Sequence, residues 1–213
     1  RQMGSGEAKV VFQGAASRTV GDTTLSGEDS GYPTLQGRLA LSTGAKSGQP
    51  LTLGVYGHFG QEEYDGHGKF VSNSLGTDLT LGFSKKAEIK SEVWFGKNLD
   101  AYLGGIGQGM NRANTKPREA GYKEIHAQGG WVCATAGPFG KLKVYGGAGL
   151  DDPNDEDLNP ADRARNVCVW AGISYNVESA TRVGVEGSYF ETQYVGLSDV
   201  DGTRGQISVV YEF

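Results

Sequence analysis

Several things are scarce in this 213-residue chain, and each scarcity narrows its class. Basic residues number 20 against 25 acidic ones, for a net charge of −5. No basic block exists to displace counterions from phosphate, which argues against a nucleic-acid partner. No apolar run approaches the roughly 20 residues of a membrane-spanning helix. Helical signals are sparse too, because apolar residues rarely recur at i, i+3, i+4 and glycine interrupts nearly every candidate window. No signal-peptide pattern opens the chain, so the expectation is a mature chain or one cut from a longer precursor. If a membrane is involved, only a closed β-barrel remains.

Glycine, by contrast, is abundant: 35 residues, about twice the usual share. Proline is not raised with it, at six, and no Gly-X-Y period is present, which excludes collagen. A 37% hydrophobic content with 10% aromatic residues is too rich for a disordered polar tract. Alternation at period two recurs along the chain. Ile207, Val209, Tyr211 and Phe213 oppose Gln206, Ser208, Val210 and Glu212. Leu51, Leu53, Val55 and Phe59 oppose Thr52, Tyr56 and His58, and Val167, Val169, Ala171, Ile173 and Tyr175 oppose Cys168, Trp170, Gly172 and Ser174. Strands put successive side chains on opposite faces, so each segment has an oily face and a polar or small one.

This reading predicts ten strands, near 8–19, 34–43, 51–63, 70–84, 88–101, 122–136, 141–150, 165–175, 181–195 and 203–213. Tight connections at 44–50, 85–87, 137–140 and 176–180 alternate with longer or more polar ones at 20–33, 64–69, 102–121, 151–164 and 196–202. The fold class is therefore all-β, an antiparallel up-and-down meander with both termini at the tight-turn end. A soluble barrel would hide the oily face inside; an outer-membrane barrel would turn it toward lipid and keep the lumen polar. The non-oily face collects charge, while Gly37, Gly57, Gly146 and Gly187 fall on the apolar face. Those glycines would leave gaps in a dry core and cost little against lipid, which favours the transmembrane barrel.

The C-terminal residues carry a family likeness. Ile207, Val209, Tyr211 and terminal Phe213 resemble the closing strand of Gram-negative outer-membrane proteins, which the barrel-assembly machinery reads. The glycine usual in that signal is replaced by Ser208, with Gly205 nearest. Aromatics near strand ends resemble two interfacial girdles: Phe83, Phe139, Tyr175 and Tyr211 on the turn side, and Tyr64, Tyr102, Tyr122 and Tyr194 on the loop side. The stretches 53–60 (LGVYGHFG), 103–109 (LGGIGQG) and 151–157 (DDPNDED) look like parts of the C-terminal portions of longer porins. The resemblance implies one domain over 1–213, either the latter part of a larger barrel or a complete ten-strand one. It also implies outer-membrane lipid and lipopolysaccharide as surroundings, small solutes as cargo, and a homotrimer or another oligomer as an assembly.

Two loops invite chemistry. Residues 151–162 hold six carboxylates, among them Asp151, Asp152, Asp155 and Asp157, and a hard cation such as Ca²⁺ takes six to eight oxygens. The loop lacks the glycine and distal glutamate of an EF-hand. A solvated acidic tip, or divalent bridges to lipopolysaccharide phosphates, are the alternatives. Residues 102–121 join a glycine cluster to Arg112, Lys116 and Arg118. A loop this long is usually functional or disordered: it either narrows the barrel mouth and attracts anions there, or stays outside as a mobile loop.

No catalytic constellation emerges, and the reading is not an enzyme. Three histidines and two cysteines show no zinc spacing and no Cys-x-x-Cys. Gly44-Ala-Lys-Ser47 reads as a turn, not a phosphate loop. The pleat puts Cys133 on the oily face and Cys168 on the lumen face, two strands and about 9–10 Å apart, which predicts two free thiols.

The sequence thus points to a passive diffusion channel whose path is lined by Arg38, His58, Lys90, Glu92, Glu124, His126, Lys143, Arg182 and Glu186. Mixed signs predict weak charge selectivity. In a narrow barrel the same charges would pair into a plug, leaving a closed structural or binding barrel that works through its loops. A soluble ligand-binding barrel is the third alternative.

Overall fold

The computed structural model describes residues 2–3, 8–17, 31–44, 49–64, 68–111 and 121–213. Ten long strands follow one another: β1 (Lys9–Ser17), β2 (Thr34–Thr43), β3 (Leu51–Tyr64), β4 (Gly68–Ser84), β5 (Ala87–Lys97), β6 (His126–Phe139), β7 (Leu142–Pro153), β8 (Arg163–Asn176), β9 (Thr181–Tyr194) and β10 (Val200–Tyr211). Each pairs antiparallel with the next in chain order, and Gln2–Met3 adds a short piece beside β1. The sheet is open, since β1 and β10 are not hydrogen-bonded to each other. Lys9 and Tyr211 both lie at the tight-turn end, beside Ser42 and Thr181 respectively.

Strand formation follows from the alternation and from the turns. Two-residue turns close β4–β5 and β6–β7, the latter with Gly140 at a left-handed φ of 65° that glycine adopts without a Cβ penalty. The β3–β4 connection is shorter than the 64–69 loop expected, since β3 runs to Tyr64 and β4 starts at Gly68. Register then sorts the two faces. One cross-strand row runs Leu41, Leu53, Leu79; its neighbour, one residue along, runs Ala40, Gly54, Asp78, Glu92, Trp131. A slip of one residue would exchange every side chain between faces.

The apolar face is not a core. Leu53, Val169 and Val209 are 52%, 43% and 69% exposed, and Leu39, Val55, Phe59, Leu75 and Ile207 lie open beside them on the same face. Few apolar side chains are buried among the described residues. Besides Ala40 they are Leu99, Ile125, Ala127 and Leu158, gathered where the long loops pack at the end opposite the tight turns. Apolar side chains facing outward over contiguous strands are an arrangement a water-soluble monomer avoids.

Register corrects two expectations. The segment 122–136 is not one strand. Lys123–Glu124 pairs with Met110–Asn111 in a separate two-stranded piece, and the chain breaks at Ile125, whose N–H donates to the Gly109 carbonyl at 2.9 Å. The strand resumes at His126 with Trp131 opposite Glu92 and Cys133 opposite Lys90. Odd-numbered residues of β6 therefore take the polar face. Cys133 joins Cys168 there, contrary to the opposite-face expectation. Both thiols are free, and β7 lies between their strands, which by itself sets them about 9–10 Å apart.

Candidate functional site

The polar face builds from cross-strand neighbours. Arg38 on β2 reaches over β3 to Asp78 on β4, with Nε to Oδ2 at 2.8 Å and Nη2 to Oδ1 at 2.6 Å. Its Nη1 donates to Gln13 Oε1 at 3.1 Å. Tyr56 O–H donates to Glu92 Oε1, and Trp131 Nε1–H donates to Glu92 Oε2 at 2.9 Å. Every one of these contacts except Arg38–Gln13 and Trp131–Glu92 spans an intervening strand. A single cavity of about 670 Å³ touches residues on all of β1 to β6. Six flat strands would spread over about 24 Å, so the sheet curls toward its polar face.

Glycines let large side chains lie along this face. A Cβ on Gly76 would run into the Tyr56 ring, one on Gly129 into the Trp94 ring, one on Gly147 into the Trp170 ring and one on Gly172 into the Tyr145 ring. Each ring therefore lies against the glycine directly across from it on a neighbouring strand. All three tryptophans of the chain lie on the polar face, by the register of Trp94 with Gly129, Trp131 with Glu92 and Trp170 with Gly147.

The start of the long loop folds in against this wall. Tyr102 stacks on His58, ring centroids 4.1 Å apart, and its hydroxyl accepts from Gln36 Nε2 at 3.2 Å. His58 is held from behind by Ser74 Oγ at 2.6 Å and Ser72 Oγ at 2.9 Å. Asn98, Leu103 and Ile106 all take positive φ, 53°, 63° and 55°, costly for non-glycine residues and unusual for β-branched Ile106. Fixed partners hold them there. Gly105 and Ile106 N–H groups donate to the Asp151 carboxylate at 3.1 and 2.8 Å. Gln108 exchanges hydrogen bonds with the Arg163 backbone at 2.8 and 3.0 Å, and Asn98 Nδ2 donates to Glu62 Oε2 at 2.7 Å.

Asp157 is the hub of the loop layer. It is 3% exposed and accepts from Lys123 Nζ at 2.8 Å and from the His126 amide at 3.0 Å, with His126 Nδ1 at 2.8 Å. Burial pushes its carboxyl upward, but the Lys123 and His126 hydrogen bonds outweigh burial and hold it below the usual aspartate value.

The expected site residues divide accordingly. Arg38, His58, Lys90, Glu92, Lys143, Arg182 and Glu186 lie on the polar face by register. Glu124 and His126 do not. Glu124 sits in the loop layer, taking Val71 N–H at 3.0 Å and Lys97 Nζ at 3.1 Å, and His126 falls on the other face of β6 beside Asp157. Arg112, Lys116 and Arg118 lie outside the described residues. Of the acidic loop, Asp151 and Asp157 serve as loop anchors, and Asp152 accepts from Gln128 Nε2 at 3.3 Å. Among the described residues no three His, Cys, Asp or Glu side chains are grouped to hold a metal ion.

Phe83, Phe139, Tyr175 and Tyr211 lie exposed near the tight turns. Tyr102 leaves the expected loop-side girdle for His58, and Tyr122 packs near Phe70 at 6.1 Å. The side chain of Tyr64 is outside the described set. Sequence reading missed Tyr56, Trp94, Trp131 and Tyr102 as site residues; the glycines opposite the first three were the available signal.

In fold, this antiparallel sheet is similar to the barrel walls of outer-membrane porins of known structure. The outer membrane channel DcaP of Acinetobacter baumannii superimposes with a TM-score of 0.69 at 13% identity, over 98% of this chain and 60% of that one. A porin refined at 1.8 Å superimposes with a TM-score of 0.54 at 12% identity, over 100% of this chain and 60% of that one. The chain thus spans about 60% of the length of each solved structure it matches. No protein-family model matches the chain, and no curated protein sequence does.

Proposed function

We propose that the chain forms most of the wall of a porin-like channel in a bacterial outer membrane, through which small hydrophilic solutes diffuse. The observation that carries this reading is the sidedness of one continuous sheet: an exposed apolar face on one side, and on the other a charged, aromatic-lined face onto which the Tyr102 segment folds. Lipid accepts no unpaired backbone edge, so the sheet has to close in the membrane, on itself or through further strands. Barrels of 16–18 strands enclose an aqueous channel, and ten strands over 60% of a related length fit that size. Passage needs no bond chemistry; charge and bulk on the polar face weight what crosses.

Planar-bilayer recording on the full-length protein tests this. Discrete conductance steps are expected. A protein that inserts, shows heat-modifiable migration on a gel and yet never conducts would instead be a closed barrel.

A further inference from the structure

We propose that the cavity beside Glu92 binds small organic cations bearing a flat apolar group. The transport consequence rests on the channel reading above; the binding itself does not.

Charge is the first argument. Asp78 and Glu92 are direct cross-strand partners on β4 and β5, so two carboxylates face each other. Arg38 offsets Asp78 and already uses three donors on Asp78 and Gln13. Glu92 is held by a phenol and an indole, neutral groups that orient the carboxylate and leave its charge in place. Lys90, on the same face two residues away, is engaged with Glu88 at 3.1 Å. Among the described residues no cation forms an ion pair with Glu92. Among the described residues Arg38 and Asp78 cancel, and Glu92 leaves this wall with one uncompensated negative charge.

Aromatic surface is the second. Tyr56, Trp94, Trp131 and, from the loop, Tyr102 line the same cavity as Glu92. Gly76 and Gly129 leave the room that the Tyr56 and Trp94 rings occupy along the wall, and both rings line the cavity. Ring faces carry the negative end of the aromatic quadrupole and attract cations, most of all Trp. An anionic solute would meet Glu92 while Arg38, the guanidinium among the described lining residues, is already paired with Asp78. The volume of about 670 Å³ suits a small organic molecule.

The test uses the full-length protein in detergent and its tryptophan fluorescence, since two of the three tryptophans line the cavity. Phenyltrimethylammonium, benzyl alcohol and benzoate share a phenyl ring and differ in charge. Saturable quenching should be tightest with phenyltrimethylammonium, by about fivefold or more over benzyl alcohol, and weakest with benzoate. Glu92→Gln should remove most of that preference, and Glu191→Gln, on the opposite face, should keep it. If Glu92→Gln loses heat-modifiable migration, the three-probe comparison on the unaltered protein still decides. Equal affinity for all three probes, a preference for benzoate, or no saturable quenching would overturn the proposal. Binding in a protein that never conducts defeats the channel reading and leaves the site standing; conductance with no binding does the reverse.

Discussion

Arg38 and Asp78 clasp each other across the width of β3, directly over Gly54, where a Cβ would strike both side chains. The pair is part-exposed, 30% and 24%, so its worth is that of a bidentate contact discounted for solvent, about 1 kcal/mol. Asp78→Asn should destabilise the reconstituted protein by that order, read as a lower urea midpoint. Gly54→Ala should do the same without removing a charge, because it pushes the two groups apart. An unchanged midpoint in both variants would mean that the clasp is not formed in the membrane.

Backbone proximity separates one glycine class from another. A Cβ on Gly129 would lie 2.6 Å from the Leu150 carbonyl oxygen as well as against the Trp94 ring, whereas one on Gly187 meets nothing within 4 Å. Backbone cannot move aside as a side-chain tip can. Gly129→Ala should destabilise by about 1–3 kcal/mol, and Gly187→Ala should stay within about 0.5 kcal/mol of the parent. Equilibrium unfolding of the two variants side by side reads the difference.

Asp157 gives the loop layer a pH dependence of definite sign. Its folded value is depressed below the unfolded one, so its stabilisation is complete above the unfolded value near 4 and lost as pH falls through the folded value. Hydrogen exchange of the Ile125, His126 and Asp157 amides should accelerate selectively below about pH 4, after correction for intrinsic rates. Asp157→Asn should show the faster exchange already at neutral pH.

Tyr102 lies on His58 over the polar face of the sheet, where a channel would be narrowed by it. Tyr102→Ala should raise single-channel conductance while leaving heat-modifiable migration intact. Conductance equal to that of the parent would place the constriction elsewhere.

How far the sequence foretold this molecule depends on where one looks. Alternation at 51–60 and 167–175 assigned the two faces correctly, because Leu, Val, Ile and Phe keep to one parity there. In β6 that contrast fails. His126 and Gln128 share a parity with Val132 and Ala134, and Trp131 reads as greasy although its indole N–H serves Glu92. Only pairing with β5 decides the parity, and pairing is non-local. The break at Ile125 was equally hidden, since it depends on the Gly109 carbonyl folding back from the loop. Tyr102 looked like an interfacial aromatic by position alone; its destination depends on the positive-φ segment that Asp151 holds.

Sidedness of the sheet in a bilayer is the claim on which all else rests. In a Cys133→Ser, Cys168→Ser background of the full-length protein, nitroxide labels placed at Leu53, Val169 and Val209 and at Asp78 and Glu186 can be compared for collision with oxygen and with a water-soluble nickel complex. The first three should meet oxygen and be shielded from nickel, and the last two should show the opposite preference. Nickel access at Leu53, Val169 and Val209 with shielding at Asp78 and Glu186 would turn the barrel inside out and contradict the account.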